Sequence, residues 1–227
     1  VVGMIKDYYV FENNDEISDR IKDAEIIITN KVIIGKDELV IAKKLKLICV
    51  AATGYNNIDI AEAKKRDIVV ANVIGYSTES VAQTVFGYIL SILNSTSKFS
   101  NDINDKLWQK SPIFTMLNHP FYELKGKKLG IIGYGNIGKR VAELAEAFHA
   151  EVLICESLHK AESNENRIPL KSILEQSDIV SIHVPLNDQT LNLIAENEFK
   201  QMKNSAVLIN TARGGIINEE DLYNALI

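Results

Sequence analysis

Three glycines and one acid form the part of this sequence best suited to chemistry. Gly133, Gly135 and Gly138 stand in G-x-G-x-x-G spacing, and Glu156 follows about 20 residues on. This spacing fits a chain that turns tightly at Gly133 and brings bare backbone against a pyrophosphate at Gly135. At Gly138 it lets a helix sit close on a sheet, its N-terminus aimed at the phosphates. A carboxylate at Glu156 suits the two adenosine ribose hydroxyls and repels a ribose 2′-phosphate. Ser157, Leu158, His159 and Lys160 add some positive potential but no arginine fork, so NAD is expected over NADP. A plain tight turn and a solvated strand-end acid are the bland readings. The flanking pattern decides against them.

That pattern is strand, turn, helix, strand. Leu129, Ile131 and Ile132 make a short apolar run before the glycines. Val141, Leu144, Ala145 and Phe148 then recur at helical intervals, and Val152, Leu153 and Ile154 form the next apolar run. Further on, the sequence predicts a helix over 170–176 opened by Pro169 and a strand over 178–184 stopped by Pro185. A short helix over 196–202, a strand over 206–210 and a final helix from Glu219 follow. The strand ends at Gly133, Pro185 and Thr211 should open on one crevice.

The first half alternates in the same way. Ile17 and Ile21 suit a short helix; strands are expected over 25–29, 45–50 and 68–71, and helices over 39–42, 61–65 and 81–93. Residues 1–10 read as extended. Ser80 with Gln83 suits a capping box for the last helix, and Val85, Ile89 and Ile92 its core stripe. Ala51-Ala52-Thr53-Gly54 follows a strand directly, which in an open α/β sheet faces the ligand crevice. Such alternation argues a parallel sheet covered on both faces. Residues 94–123 hold Trp108, Pro112 and Pro120 and read as a loose bridge, with Trp108 and Phe114 as packing anchors.

Composition sets the class. The chain has 227 residues, 46% of them hydrophobic, and a formal net charge of −5, enough for one large or two small α/β domains with real cores. Lys43, Lys44 and Lys46 are too few for a nucleic-acid footprint and read as a solvated face. Cys49 and Cys155 each lie inside an apolar run and read as buried thiols of a reducing compartment, not as metal ligands or a disulfide. No metal site, signal peptide or membrane span is expected, and the expected location is cytoplasmic. The chain opens at Val1 and closes at Ile227 within an amphipathic pattern, so it reads as cut at both ends.

Taken together, five stretches strongly resemble the D-isomer-specific 2-hydroxyacid dehydrogenases. They are Ala51–Asp59, Asn72–Gln83, Gly130–Phe148, His183–Leu186 and Asn210–Gly215. The wording of Thr53–Asp59 and Gly75–Thr78, with Ser111-Pro112 before His119-Pro120, is most similar to the glycerate dehydrogenase (hydroxypyruvate reductase) branch. The resemblance implies an α/β chain of two Rossmann-like domains meeting at a cleft, both incomplete. A flavodoxin-like substrate domain would span 1–98, lacking its first strand and its C-terminal return. An interdomain bridge would span 99–123, and an NAD-binding Rossmann domain, cut at its C-terminus, 124–227. It further implies a homodimer and NADH-dependent reduction of a small 2-oxo acid, with hydroxypyruvate to D-glycerate the best match.

Site residues follow from the same resemblance. Gly54 and Tyr55 would offer amides to the substrate carboxylate, with Asn57 supporting their loop. Asn136 and Ile137 would supply amides beside the pyrophosphate. His183, Val184, Pro185 and Leu186 would flank the riboses, and Thr78, Thr211 and Ala212 would lie near the nicotinamide. Arg213 would be the catalytic arginine, because a fixed guanidinium can bind a carboxylate and a carbonyl oxygen that gains negative charge. The family's proton-donating histidine and its orienting glutamate are expected past residue 227, and His119, His149, His159 and His183 do not replace them. His149 stands where the family often has glycine after the helix, so a left-handed backbone is expected there. Alternatives are an NAD-sensing binding protein of the corepressor type, or another branch such as D-lactate or phosphoglycerate dehydrogenase.

Overall fold

The computed structural model describes residues 17–158 and 166–227. The expected extended segment at 1–10, and His159, lie outside the described residues. Contacts divide the chain into two compact units, Val1–Tyr76 and Ser77–Ile227.

In the first unit, α1 (Ile17–Ile21) precedes β1 (Ile26–Thr29), α2 (Lys36–Ile41), β2 (Leu47–Val50), α3 (Ile60–Lys65) and β3 (Val69–Asn72). The strands pair in parallel in the order β1-β2-β3, with Ile26 opposite Leu47 and Leu47 opposite Val69. Strand alternation sends Ile27, Ile48 and Val50 inward, where they pack with Ile34, Leu39, Ile58 and Ala63. The other face carries Ile26, Ile28 and Val69, all exposed. Among the described residues nothing covers this face, whereas the sequence expectation is a sheet covered on both.

The second unit begins with α4 (Thr78–Leu93), α5 (Thr96–Asn104) and α6 (Leu107–Lys110). It continues through β4 (Lys128–Ile132), α7 (Asn136–Ala147), β5 (Glu151–Cys155), β6 (Arg167–Ile168) and α8 (Leu170–Gln176). It closes with β7 (Ile179–Ile182), α9 (Glu196–Phe199), β8 (Val207–Asn210) and α10 (Glu219–Leu226). Five parallel strands lie in the order β6-β5-β4-β7-β8. The first strand of the unit is central, and the chain winds outward on one side of it, then on the other. This is a Rossmann-like arrangement. Among the described residues no helix is long and apolar enough to cross a membrane.

Helix α4 departs from expectation in three ways. It starts at Thr78, so Ser80 lies inside it and its hydroxyl donates to the Ser77 carbonyl. No Ser80–Gln83 capping box forms. Its core stripe is Ala82, Val85, Phe86, Ile89 and Leu93; Ile92 points outward at 52% exposure, because the buried face advances by three and four residues. That face packs on α7, and Phe86 stacks on Phe148 at 5.6 Å. By contacts α4 thus belongs with the second unit, whereas the sequence alone groups it with residues 1–98.

The stretch from 94 to 123 is more ordered than a loose bridge. Ser95 adopts a left-handed backbone and starts α5; its hydroxyl donates to the Pro120 carbonyl at 2.7 Å. Tyr122 N–H donates to the Leu93 carbonyl. Asp102 accepts from Asn118 and pairs with His119 Nε2 at 2.8 Å, while the His119 ring meets Phe99 edge-on. Yet α5 and α6 bury none of their residues. Trp108 and Phe114 are 50% and 91% exposed, so they are not packing anchors within the chain. Pro169 is also displaced by one position: it caps α8 in an extended conformation instead of opening the helix.

His149 is left-handed, at φ 59°, as its position after α7 implies. Its N–H donates to the Glu146 carbonyl and that of Ala150 to the Ala145 carbonyl, the paired bonds of a Schellman turn. An L residue with an exposed side chain is strained there. Replacing His149 with glycine should raise stability by about 0.5–1 kcal/mol, after the added freedom of the unfolded chain is deducted. Chemical denaturation checks this; an unchanged or lower midpoint contradicts it.

Candidate functional site

Strand register builds one edge of the second sheet. Ile132 pairs with Ile182, and Ile182 with Asn210. The residues that follow, Gly133, His183 and Thr211, therefore leave three adjacent strands at the same level. Chain order reverses between β4 and β7, the topological switch point where open α/β sheets hold ligands.

The glycine turn shows what each glycine is for. Gly133 has φ +97°, and a Cβ on it would come within 2.6 Å of the His183 carbonyl oxygen. A Cβ on Gly138 would collide with the Gly133 carbonyl oxygen, so α7 sits as close to β4 as a backbone allows. Gly135 is different: nothing lies within 4 Å of its Cβ position. It is the N-cap of α7 and no side chain caps the helix. The first-turn amides at Asn136 and Ile137 sit beside this open backbone, a place where a phosphate can be received. Glu156 is exposed just past β5, its N–H held by the Ile168 carbonyl.

On the β7 side, His183 N–H donates to the Ile132 carbonyl, and His183 Nε2 lies 2.9 Å from Ser181 Oγ, which is fully buried. Burial pushes the His183 imidazole down to about 4, so it is neutral at pH 7 and poorly suited to deliver a proton. Val184 is buried and Pro185 is exposed. Thr190, with no exposed surface, donates its hydroxyl to the Pro185 carbonyl at 2.6 Å and accepts from Asn187 N–H. The loop after His183 is thereby rigid.

Past β8, Asn210 clamps the turn that carries the arginine. Its side-chain oxygen accepts from Ala212 N–H and its Nδ2 donates to the Arg213 carbonyl. Arg213 is exposed, and its guanidinium donates to the Ala212 carbonyl at 2.7 Å. Thr211 Oγ1 is buried without a hydrogen-bond partner among the described residues. An orphaned hydroxyl is costly unless something meets it. With the open cradle at Gly135 and the acid at Glu156, it makes this edge a good fit for a dinucleotide.

The remaining candidates lie elsewhere. Thr78 is the first residue of α4, whose next residue, Glu79, pairs with Arg140 of α7 at 3.0 Å. Gly54, Tyr55 and Asn57 belong to the first unit, in the loop after β2. Thr53 donates its hydroxyl to the Val73 carbonyl and Asn72 Nδ2 donates to the Thr53 carbonyl. Asn57 Nδ2 donates to the Val32 carbonyl, and the Asn57 carbonyl accepts from Ile34 N–H. Gly54 is half-buried and Tyr55 exposed at the tip of this pinned loop. Among the described residues no cluster of metal-ligating side chains is present.

Sequence reasoning overlooked the Ser181–His183 pair, the Asn210 clamp and Arg167. Serine two residues before a strand-end histidine was a usable signal, since alternate strand residues share a face. For Arg167, whose Cζ lies 5.8 Å from the centre of the Tyr134 ring, there was none, because that approach depends on how β6 docks.

His183 gives a pH signature. Its folded value lies below the usual 6.5, so the unfolded chain takes up the proton first. The resulting stability is complete above pH 6.5 and is lost as pH falls from about 6.5 to about 4. Allowing for partial exposure, the loss is about 2 kcal/mol. Denaturation at pH 7 and pH 4.5 should show a decline that His183→Gln lacks in part; equal declines would contradict the assignment.

Residues 86–227 match the family described as D-isomer specific 2-hydroxyacid dehydrogenase, NAD binding domain. The chain is 39% identical over 221 residues to the glycerate dehydrogenase of Methylorubrum extorquens, covering 97% of this chain and 69% of that protein. It is 34% identical over 215 residues to the hydroxypyruvate reductase of Blautia hydrogenotrophica, covering 93% and 67%. Its fold superposes on the D-lactate dehydrogenase of Aquifex aeolicus, solved with NAD and lactic acid, with a TM-score of 0.81 and 30% identity over 94% of this chain and 64% of that one. The glycine turn, the acid and the arginine turn thus sit in a chain that belongs to the D-isomer-specific 2-hydroxyacid dehydrogenase family, with NAD as its cofactor.

Proposed function

We propose that this protein reduces hydroxypyruvate to D-glycerate with NADH. The family-level reaction is reduction of a 2-oxo acid to a D-2-hydroxy acid. The observation that carries the reading is the sheet edge, where the open backbone at Gly135 follows β4 and the orphaned Thr211 hydroxyl and Arg213 follow β8, on either side of β7. Two relatives named for glycerate and hydroxypyruvate support this substrate pair.

In this reading the amides at Gly135, Asn136 and Ile137 hold the pyrophosphate and Glu156 holds the adenosine ribose hydroxyls. His183, Val184 and Pro185 flank the riboses; Thr78, Thr211 and Ala212 border the nicotinamide. Bound NADH supplies the hydride. Arg213 leaves the Ala212 carbonyl to grip the substrate carboxylate and the carbonyl oxygen, where negative charge develops. Gly54 and Tyr55 offer amides to the carboxylate, and Asn57 holds their loop. The proton donor is assigned to no described histidine: His119 is bound to Asp102, His183 is neutral against Ser181, and His149 serves the turn after α7.

The flavodoxin-like substrate domain is proposed to end near residue 76 and not 98, because α4 packs on α7; 99–123 remain the proposed bridge and 124–227 the body of the cofactor domain. The exposed Trp108 and Phe114 suit a homodimer contact, since aromatic side chains carry interface energy well. Sedimentation at micromolar concentration should give a dimer; a monomer contradicts that part.

Following NADH oxidation with hydroxypyruvate, glyoxylate, pyruvate and phosphohydroxypyruvate tests the substrate. Hydroxypyruvate should show the highest kcat/KM, and Arg213→Gln should lower it by about 100- to 1,000-fold while NADH still binds. NADH binding with no turnover of any of these acids would favour an NAD-sensing binding protein instead.

A further inference from the structure

The adenosine end of the site holds charges of both signs. Glu156 is the negative one. The positive ones gather on Tyr134, the residue between the first two glycines. Arg167 Cζ lies 5.8 Å from the centre of the Tyr134 ring, and Lys139 Nζ lies 6.0 Å from it. Tyr134 is half-buried and packs against the core, so its ring is a fixed platform. Arg167 reaches it from β6, across the end of β5, because Ile154 pairs with Arg167 and Glu156 N–H bonds to the Ile168 carbonyl. Glu156 and Arg167 both act on the Cys155 thiol, which is pushed up to about 11 chiefly by burial: Glu156 raises it further and Arg167 lowers it.

An arginine on an aromatic face keeps its in-plane N–H donors available for a phosphate. We infer that Arg167, positioned by Tyr134 and assisted by Lys139, is a 2′-phosphate-accepting residue that Glu156 masks, so that one substitution at Glu156 turns the cofactor site toward NADPH. This rests on the NAD-binding reading of the glycine turn. In the unaltered protein the Glu156 carboxylate repels the phosphate and NADH wins. Without that carboxylate the guanidinium and the ammonium face the ribose unopposed.

The test is the ratio of NADH to NADPH dissociation constants, measured by calorimetry on the unaltered protein, Glu156→Ala, and Glu156→Ala with Arg167→Ala. Glu156→Ala should shift the ratio toward NADPH by about 10- to 100-fold. Adding Arg167→Ala should return most of that shift, and Arg167→Lys should return less, because it keeps the charge but not the fork. A shift that survives loss of Arg167, or no shift in Glu156→Ala, would overturn the inference. Failure of the unaltered protein to bind NADH would overturn the underlying site reading as well.

Discussion

One steric constraint organises the second unit: α7 rests so closely on β4 that no side chain fits at Gly138, where the Gly133 carbonyl already stands. The same turn leaves no room at Gly133, whose Cβ position is taken by the His183 carbonyl. Helix, central strand and the loop after β7 thus meet at backbone-to-backbone contacts. Backbone contact of this kind has no rotamers to adjust, so the helix N-terminus is fixed relative to the sheet edge. A phosphate-binding site needs that fixed aim, because the helix field decays within its first turn.

Register carries this precision across the sheet. Ile132, Ile182 and Asn210 lie in line, so the turn at Gly133 also fixes where Thr211 and Arg213 emerge. Thr190 and Asn210 then stiffen the two loops beyond, each by satisfying several backbone groups with one side chain. Burial keeps His183 neutral and Ser181 meets its ring, which suits a residue packed against the glycine turn and not one that trades protons. The chemistry falls to Arg213, the exposed member of the set.

The cofactor half was legible in sequence because its demands are local. A glycine triplet, two apolar runs and a strand-end acid state where backbone must approach a ligand, and the left-handed His149 followed from the family resemblance, in which glycine often stands there. Features that depend on long-range packing were not legible. Ile92 looked like a core position by spacing alone, but the face of α4 was set by α7. Trp108 and Phe114 looked like anchors by composition, yet the short helices around them bury nothing. Arg167 gave no signal, since only the docking of β6 brings it to Tyr134.

Gly135 separates the ligand's demand from the fold's. Gly133 and Gly138 cannot change without disturbing the protein, but Gly135 has the extended backbone of an N-cap, φ −83° and ψ −161°, and open space at its Cβ. Gly135→Val should therefore fold with an unaltered unfolding midpoint in the absence of ligand, while its methyl groups occupy the place of the pyrophosphate. NADH titration followed by fluorescence is the most direct measurement. The account predicts an affinity at least about tenfold weaker in Gly135→Val than in the unaltered protein; equal affinity would contradict it.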